Sequence, residues 1–329
     1  MAKGVSPKLK ILYLMKILLE KTDENHSITM EEILSSLESY GIVAERKGIY
    51  GDFELLENYG FEVIMEKRNR NSYYKVVSRQ FELAELKLLV DSVQSARFIS
   101  EKKSNDLIKK IEGLASKYEA SELQHQVFVT ERVKTLNERV YYNIDAIHNA
   151  ITQNAMISFQ YFTWDDNKKM VLKHDGKVYK ESPWAMTLAE ENYYLVCFDE
   201  QEGIKYFRVD KMTQIRILDD KREGKKEFER FDIADYAKKR FRMYDGPETK
   251  VKLRCKKEFA NAIIDRFGKD VFMKPVDAGH FEVFVDVAVS KQFFAWVMAM
   301  NDGVEIVGPD EVVEDVKKMI KELSKQYEV

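Results

Sequence analysis

Only two cysteines, Cys197 and Cys255, occur in the 329 residues. They lack C-x-x-C spacing and each lies in an apolar, strand-like run, so they read as packed, reduced thiols rather than a disulfide or a metal site. The histidines are almost as sparse: His26, His125, His148, His174 and His280 are scattered without ligand spacing. No apolar run approaches the roughly 18 residues a membrane helix needs. Phosphate-cradling loops are missing too. Gly176-Lys177-Val178 lacks the flanking glycine and the hydroxyl residue of a Walker loop, there is no dinucleotide glycine fingerprint, and no serine sits in a Gly-x-Ser-x-Gly elbow. Without convergent acid, base or nucleophilic groups the sequence argues against an enzyme, and no cofactor or metal is expected. A large excess of either charge is absent as well, because 53 Lys and Arg face 56 Asp and Glu for a formal net charge of -3. That balance says nothing for or against a nucleic-acid partner, since a local basic face can hide in the average.

What is present suits two or three soluble domains: 329 residues, 45% hydrophobic and 33% charged. The N-terminus could be mistaken for a signal peptide, but ILYLM has charges on both sides and no small-residue cleavage site follows. A first amphipathic helix from Ser6 to about Lys21, on Leu9, Leu12, Tyr13, Met15, Ile17 and Leu19, and a cytoplasmic location are therefore expected. Thr29 and Glu32 form a capping box that opens a second helix, with Ile33, Leu34 and Leu37 inward and Gly41 as its stop. A third helix over residues 44–60 turns Ile49, Phe53, Leu55 and Leu56 inward and Arg46, Lys47 and Tyr50 outward. Strands at 61–65 and 73–77 flank the basic tip Glu66-Lys67-Arg68-Asn69-Arg70-Asn71-Ser72. Three helices followed by a two-stranded wing describe a winged helix-turn-helix, and such a tip meets phosphate.

Residues 80–118 read as two helices broken near Ser100, either a dimerising or signal-transmitting linker or a spacer packed on its own chain. Val127-Phe128-Val129 reads as a strand, residues 143–154 as a helix and residues 156–162 as the first strand of a small barrel. Residues 181–212 read as two strands around the acidic turn 199–203. Both arms are apolar on both faces and so need cover on both sides. In a regular strand Arg208 and Lys211, three apart, take opposite faces. After a further strand at 215–218, a charged break and a helix at 231–241, the rhythm becomes strand, helix, two strands, helix, strand and a last helix.

Three resemblances follow from these residues. Pro183-Trp184-Ala185-Met186, Tyr193-Tyr194-Leu195-Val196 and Tyr206-Phe207-Arg208-Val209-Asp210-Lys211 together resemble the WYL domain family, a bacterial regulatory module with an Sm/SH3-like small barrel. Its name triplet appears as Tyr193-Tyr194-Leu195, tyrosine replacing tryptophan, and the arginine of its Asp-Arg-Ile strand end appears as Lys211 before Met212. The head resembles the DNA-binding domain of DeoR-like regulators. Their Arg-(Arg/Lys)-Thr-Ile-Tyr-Arg-Asp pattern reads here Arg46, Lys47, Gly48, Ile49, Tyr50, Gly51, Asp52, and two glycines predict a third helix that is marginal alone and held by packing. The C-terminal rhythm resembles the extension domain that often follows a WYL module.

The expected fold is α+β and multidomain: a winged helix-turn-helix over 1–78, a helical linker over 79–140, a small β-barrel over 141–222 and a ferredoxin-like domain over 223–329. Arg46, Lys47, Tyr50, Lys67, Arg68 and Arg70 are the expected contacts to double-stranded DNA. Barrel aromatics are first of all core, but a cationic, partly aromatic face suits an anionic ligand with a stackable ring. The resemblance implies such a face for an anionic effector, a nucleotide or single-stranded nucleic acid, on Tyr161, His174, Ser182, Tyr206, Arg208 and Lys211. The expected protein is a homodimeric, ligand-responsive transcription regulator. The alternative is a nucleic-acid-binding accessory that modulates a partner enzyme complex.

Overall fold

A computed structural model describes residues 7–123, 134–189 and 191–328. It is a mixed α/β structure with several antiparallel sheets, and its contacts divide it into two compact units, Met1–Tyr141 and Tyr142–Val329. Ser6 and the expected strand Val127-Phe128-Val129 lie outside the described residues.

In the first unit, α1 (Pro7–Lys21) buries Leu14, Ile17 and Leu18, while Leu9 and Leu12 are exposed. The inward face is thus rotated from the expected stripe, following the i, i+3, i+4 spacing of these three residues. After the two-residue strand β1 (Ile28–Thr29), α2 (Met30–Ser39) starts on the expected capping box between Thr29 and Glu32. It ends before Gly41, whose φ of 75° is left-handed and costs glycine little. The two-glycine helix α3 (Arg46–Asn58) is complete over 13 residues because Ile49, Phe53 and Leu56 are buried and Lys10 Nζ on α1 lies 2.8 Å from Asp52 Oδ2. Leu55, expected inward, is 57% exposed, since it falls off the arc that those three residues define.

The strands β2 (Val63–Arg68) and β3 (Asn71–Val76) pair from Val63 with Val76 out to Arg68 with Asn71. The expected seven-residue basic loop therefore shrinks to a tight turn at Asn69 and Arg70. Asn69 takes the positive φ, which asparagine tolerates. With β1 the sheet order is β1-β3-β2, and Thr22 fastens it: its Oγ1 accepts from the Val76 amide and donates to Leu18 O.

Three helices follow, α4 (Leu83–Ser95), α5 (Glu101–Glu112), which Ser100 caps by accepting from the Lys103 amide, and α6 (Lys117–Leu123). They share a small core of Leu86, Val90, Ala115 and Leu123. Lys134 Nζ donates to Val93 O, Ala96 O and Ser104 Oγ, satisfying carbonyls at the end of α4. Polar clamps join these helices to the head. Arg79 donates to Leu19 O and Thr22 O at the end of α1 and to Leu114 O, and the buried Asp23 carboxylate accepts from Ser116 Oγ at 2.5 Å.

The second unit begins on α7 (Val140–Thr152) and then β4 (Ala155–Trp164), β5 (Met170–Leu172), β6 (Val178–Ala189), β7 (Asn192–Asp199), β8 (Gly203–Arg208) and β9 (Met212–Lys221). Residues 181–212, expected as two strands around the turn, hold more than that: Glu181-Ser182-Pro183-Trp184 is part of β6, so β6, β7 and β8 form a three-stranded meander. The whole six-stranded sheet has the order β5-β4-β6-β7-β8, with β9 returning to pair β4. Tyr194, Leu195, Val196 and Cys197 are buried in succession, which meets the expected cover on both faces. Between β8 and β9 the chain makes a 3-10 turn, Val209–Lys211, held by Asn143 of α7, whose Nδ2 donates to Val209 O and Met212 O.

The short helices α8 (Lys225–Glu229) and α9 (Ile233–Lys239) replace the single connecting helix expected at 231–241. Then come β10 (Glu248–Lys256), α10 (Ala260–Phe267), β11 (Met273–Pro275), β12 (His280–Ala288), α11 (Lys291–Met298), β13 (Val304–Gly308) and α12 (Asp310–Gln326). Their sheet order is β11-β12-β10-β13, all antiparallel. Inward residues Val251, Leu253 and Cys255 on β10 meet Val283, Val285 and Val287 on β12 at period two, and α10 and α11 close that face with Ile263, Phe267 and Phe293.

Candidate functional site

On the head, Arg46, Lys47 and Tyr50 of α3 and Lys67, Arg68 and Arg70 of the ribbon are exposed. The Tyr50 and Tyr74 hydroxyls meet at 3.2 Å and Phe53 packs on the Tyr74 ring at 5.1 Å, so the Tyr50 edge of α3 is fixed to β3. Burial, reinforced by Tyr50, pushes the Tyr74 phenol up to about 12, and the Arg46 charge reaches it. The α3 and ribbon cations therefore stand on adjoining edges. Arg46, Lys47, Lys67 and Arg70 have no carboxylate partner among the described residues. Arg68 does: Glu66 Oε2 accepts from its Nη2 at 2.6 Å, and Lys75 holds the other oxygen of Glu66 at 2.6 Å. Such solvent-exposed pairs are weak, so a phosphate can displace one.

The six expected effector residues do not form one surface. Ser182 is 1% exposed and its Oγ accepts from the Glu223 amide at 2.9 Å. It fastens the segment leaving β9, together with Trp184, whose Nε1 donates to Glu223 O. Tyr206 is withdrawn as well, because its ring stacks on Tyr236 of α9 at 4.2 Å. His174 is exposed in a tight turn, with φ 49°.

Tyr161 and Arg208 do come together, and the Tyr161 hydroxyl accepts from the Arg208 amide at 3.3 Å. Burial pushes that phenol up to about 12, so it is a neutral hydrogen-bonding group. Arg208 Nε and Nη2 donate to the two oxygens of Asp210 at 3.0 and 2.9 Å, and Nη2 also reaches Asn192 Oδ1 at 2.9 Å. Burial works against the Arg208 charge, but Asp210 outweighs it and raises the pKa. Lys173 Nζ stands 5.6 Å over the Tyr161 ring. Lys211 lies on the other side of β4, over Phe162 and Trp164 at 5.4 and 5.5 Å, and burial lowers its pKa. The two cations thus take opposite sides as expected. The cause is the 3-10 turn and the alternation of Tyr161 and Phe162 along β4, not a regular strand.

A second ionic group was not foreseen. The Glu181 carboxylate, 1% exposed, meets Cys197 Sγ at 3.6 Å and Lys205 Nζ at 3.5 Å. Lys205 also reaches Asp199 at 3.6 Å and Glu202 at 3.2 Å. Register alone could have shown it, since β7 pairs Cys197 with Lys205. Asp210 and Asn192 were missed too. The spacing of Asp210 to Arg208 was a usable signal, whereas Asn192 becomes a neighbour only through the hairpin.

Family models match two stretches of this unit. Residues 142–217 match the WYL domain. Residues 247–324 match the WCX domain. The WYL match spans α7 to β9 and contains Tyr161, Arg208 and Lys211. Among solved structures, the chain is similar to "Proteasome accessory factor B/C (PafBC) of Arthrobacter aurescens" at 16% identity, covering 93% of this chain and 45% of that one, with a TM-score of 0.27. It thus spans under half the length of that structure. A structure titled "Crystal structure of a CRISPR Cas-related protein" is similar at 13% identity, covering 90% of this chain and 77% of that one, with a TM-score of 0.39. Comparison with curated proteins gives no match. No helix among the described residues is long and apolar enough to cross a membrane.

Proposed function

We propose that the chain is a nucleic-acid-binding transcription regulator. Residues 1–78 act as a winged helix head on double-stranded DNA, and residues 141–222, a small WYL barrel, sense an anionic nucleotide-like or single-stranded effector. Residues 79–140 couple the two in a cytoplasmic homodimer, residues 223–329 are a ferredoxin-like extension, and no catalysis is involved. The observation that carries this reading is the Tyr50–Tyr74 bridge, which sets the exposed Arg46 and Lys47 beside the ribbon bearing Lys67 and Arg70. A helix and a wing presenting cations on adjoining edges suit one duplex, mostly through phosphate. An effector regulates only if it binds the DNA-competent and incompetent states with different affinity.

Operator selection from a random duplex pool followed by binding against salt tests the head. Arg46→Ala with Lys47→Ala is expected to weaken binding about a hundredfold and to lower the salt slope by about two. Unchanged affinity in that variant would overturn the reading.

A second reading has its own observation: α3 also exposes Leu55 at 57% and its C-cap Tyr59 at 81%. An accessory protein docking a partner through this apolar edge would bind single strands through Arg208 and ignore duplex. Loss of single-strand binding in Arg208→Ala, with no duplex binding by the intact chain, would favour it.

A further inference from the structure

Arg208 is held from behind. Asp210 is 8% exposed, while the Arg208 side chain keeps 39% of its surface in water. The buried carboxylate takes the Nε and Nη2 hydrogens side-on, and Asn192 Oδ1 takes the second hydrogen of Nη2. Among the described residues nothing accepts from Nη1. A guanidinium carries five donors in a rigid plane, and here three of them fix the plane while the outward pair remains unused. The backbone is fixed as well, by the Tyr161 hydroxyl on the Arg208 amide and by Asn143 on the following turn.

We infer that Asp210 and Asn192 are positioning residues that present the Nη1 edge of Arg208 to an anionic oxygen of a ligand. An arginine free to rotate loses side-chain entropy when a ligand fixes it, roughly 0.5–1.5 kcal/mol per immobilised side chain. Asp210 and Asn192 bear that loss during folding, before any ligand arrives. Asp210 also cancels most of the charge of Arg208, so the site selects by hydrogen-bond direction, and Lys173 over Tyr161, which has no carboxylate partner among the described residues, supplies the nearby charge. This rests on the anion-sensing reading of the barrel and adds to it the residues that set affinity without touching the ligand.

The test uses the full chain and a 5′-phosphorylated, fluorescein-labelled hexathymidylate, read by fluorescence anisotropy at low salt. Asp210→Ala is expected to weaken binding about tenfold. Asp210→Asn, which keeps one acceptor in place and removes the competing charge, is expected to restore wild-type affinity or better. Arg208→Ala should lose at least as much as Asp210→Ala, and the double variant no more than Arg208→Ala, because Asp210 acts only through that guanidinium. Additive losses, or an Asp210→Ala protein that binds as well as wild type, would overturn the inference and leave the anion site standing. If Asp210→Ala does not fold, Asn192→Ala decides: about a threefold loss supports the inference and unchanged affinity overturns it. A wild-type chain that does not bind the probe would sink the anion-sensing reading itself.

Discussion

Asp23 in the first unit and Glu181 in the second are both almost fully buried carboxylates, and the two are treated in opposite ways. Asp23, 2% exposed, accepts from Ser116 Oγ, from the amides of Asn25 and His26 and from the His26 ring. Burial presses its pKa up, but hydrogen bonds from Ser116, His26 and Asn25 outweigh burial and hold it below the ordinary value of 3.8. Glu181, 1% exposed, has a thiol at 3.6 Å and an ammonium at 3.5 Å. There burial wins over Lys205 and pushes the carboxyl up to about 7. Depth does not separate the two; the number and quality of donors does. The first carboxylate is a fastening and the second a strain that the second unit carries.

The most damaging way to probe this contrast is Asp23→Ala. It leaves several donors facing an empty site and cuts the link between α1 and the α5–α6 turn, so a loss on the order of 3 kcal/mol in the first unit is expected. The three tryptophans, Trp164, Trp184 and Trp296, all lie in the second unit. Urea unfolding should therefore show an early far-ultraviolet transition in this variant with an unmoved tryptophan transition. If both signals shift together, or neither does, Asp23 is not the local fastening described.

Next in size is Glu181→Gln. A carboxyl whose folded pKa lies above its unfolded value favours folding most fully below the ordinary 4.5, and that contribution disappears as pH rises through about 7. At about 1.4 kcal/mol per unit, the wild-type second unit should be roughly 2–3 kcal/mol weaker at pH 8 than at pH 4.5 from this group alone. The glutamine amide carries no charge at either pH, so the variant should be the more stable protein at pH 8 by a similar amount. Asp23 gives the opposite slope: its contribution is present above 3.8 and lost as pH falls below it. Tryptophan unfolding curves at the two pH values measure the first effect, and a wild-type second unit equally stable at both would refute the contrast.

Some of this was legible in the sequence and some was not, and the reason is range. The capping box of α2, the break at Ser100 and the period-two strands of the C-terminal sheet depend on residues within one or two turns, and each was readable. The buried face of α1 and the exposure of Leu55 were misread because several apolar residues compete for one side of a helix and only the neighbouring elements choose. The fate of Ser182 was invisible, since its partner Glu223 lies 41 positions away. Arg208 was readable as a candidate cation, but its orientation required Asn192 to arrive through the β7–β8 pairing, which sets Tyr194 opposite Arg208.

The smallest effect carries the contrast to the surface of α3, at Gly51. Asp23 is held by its own chain and Glu181 is tolerated against its chain's preference; Gly51 is a position the chain makes no demand on. It sits inside a 13-residue helix, and a Cβ built there meets nothing within 4 Å. Mid-helix glycine costs about 1 kcal/mol against alanine, so Gly51→Ala should stabilise the head by about that amount in urea. Gly48→Ala should gain less, because its Cβ would come 3.3 Å from Lys10 Nζ, the ammonium that pairs with Asp52. If alanine at 51 stabilises the head and leaves duplex affinity unchanged, the glycine merely lacks a side chain, and Gly51→Arg should raise the salt slope by about one through a new phosphate contact. If alanine stabilises the head and yet weakens duplex binding, the bare backbone is itself in contact with the DNA, and arginine there should weaken binding further. A Gly51→Ala head that is less stable would mean that α3 meets something at this position that the first unit does not contain.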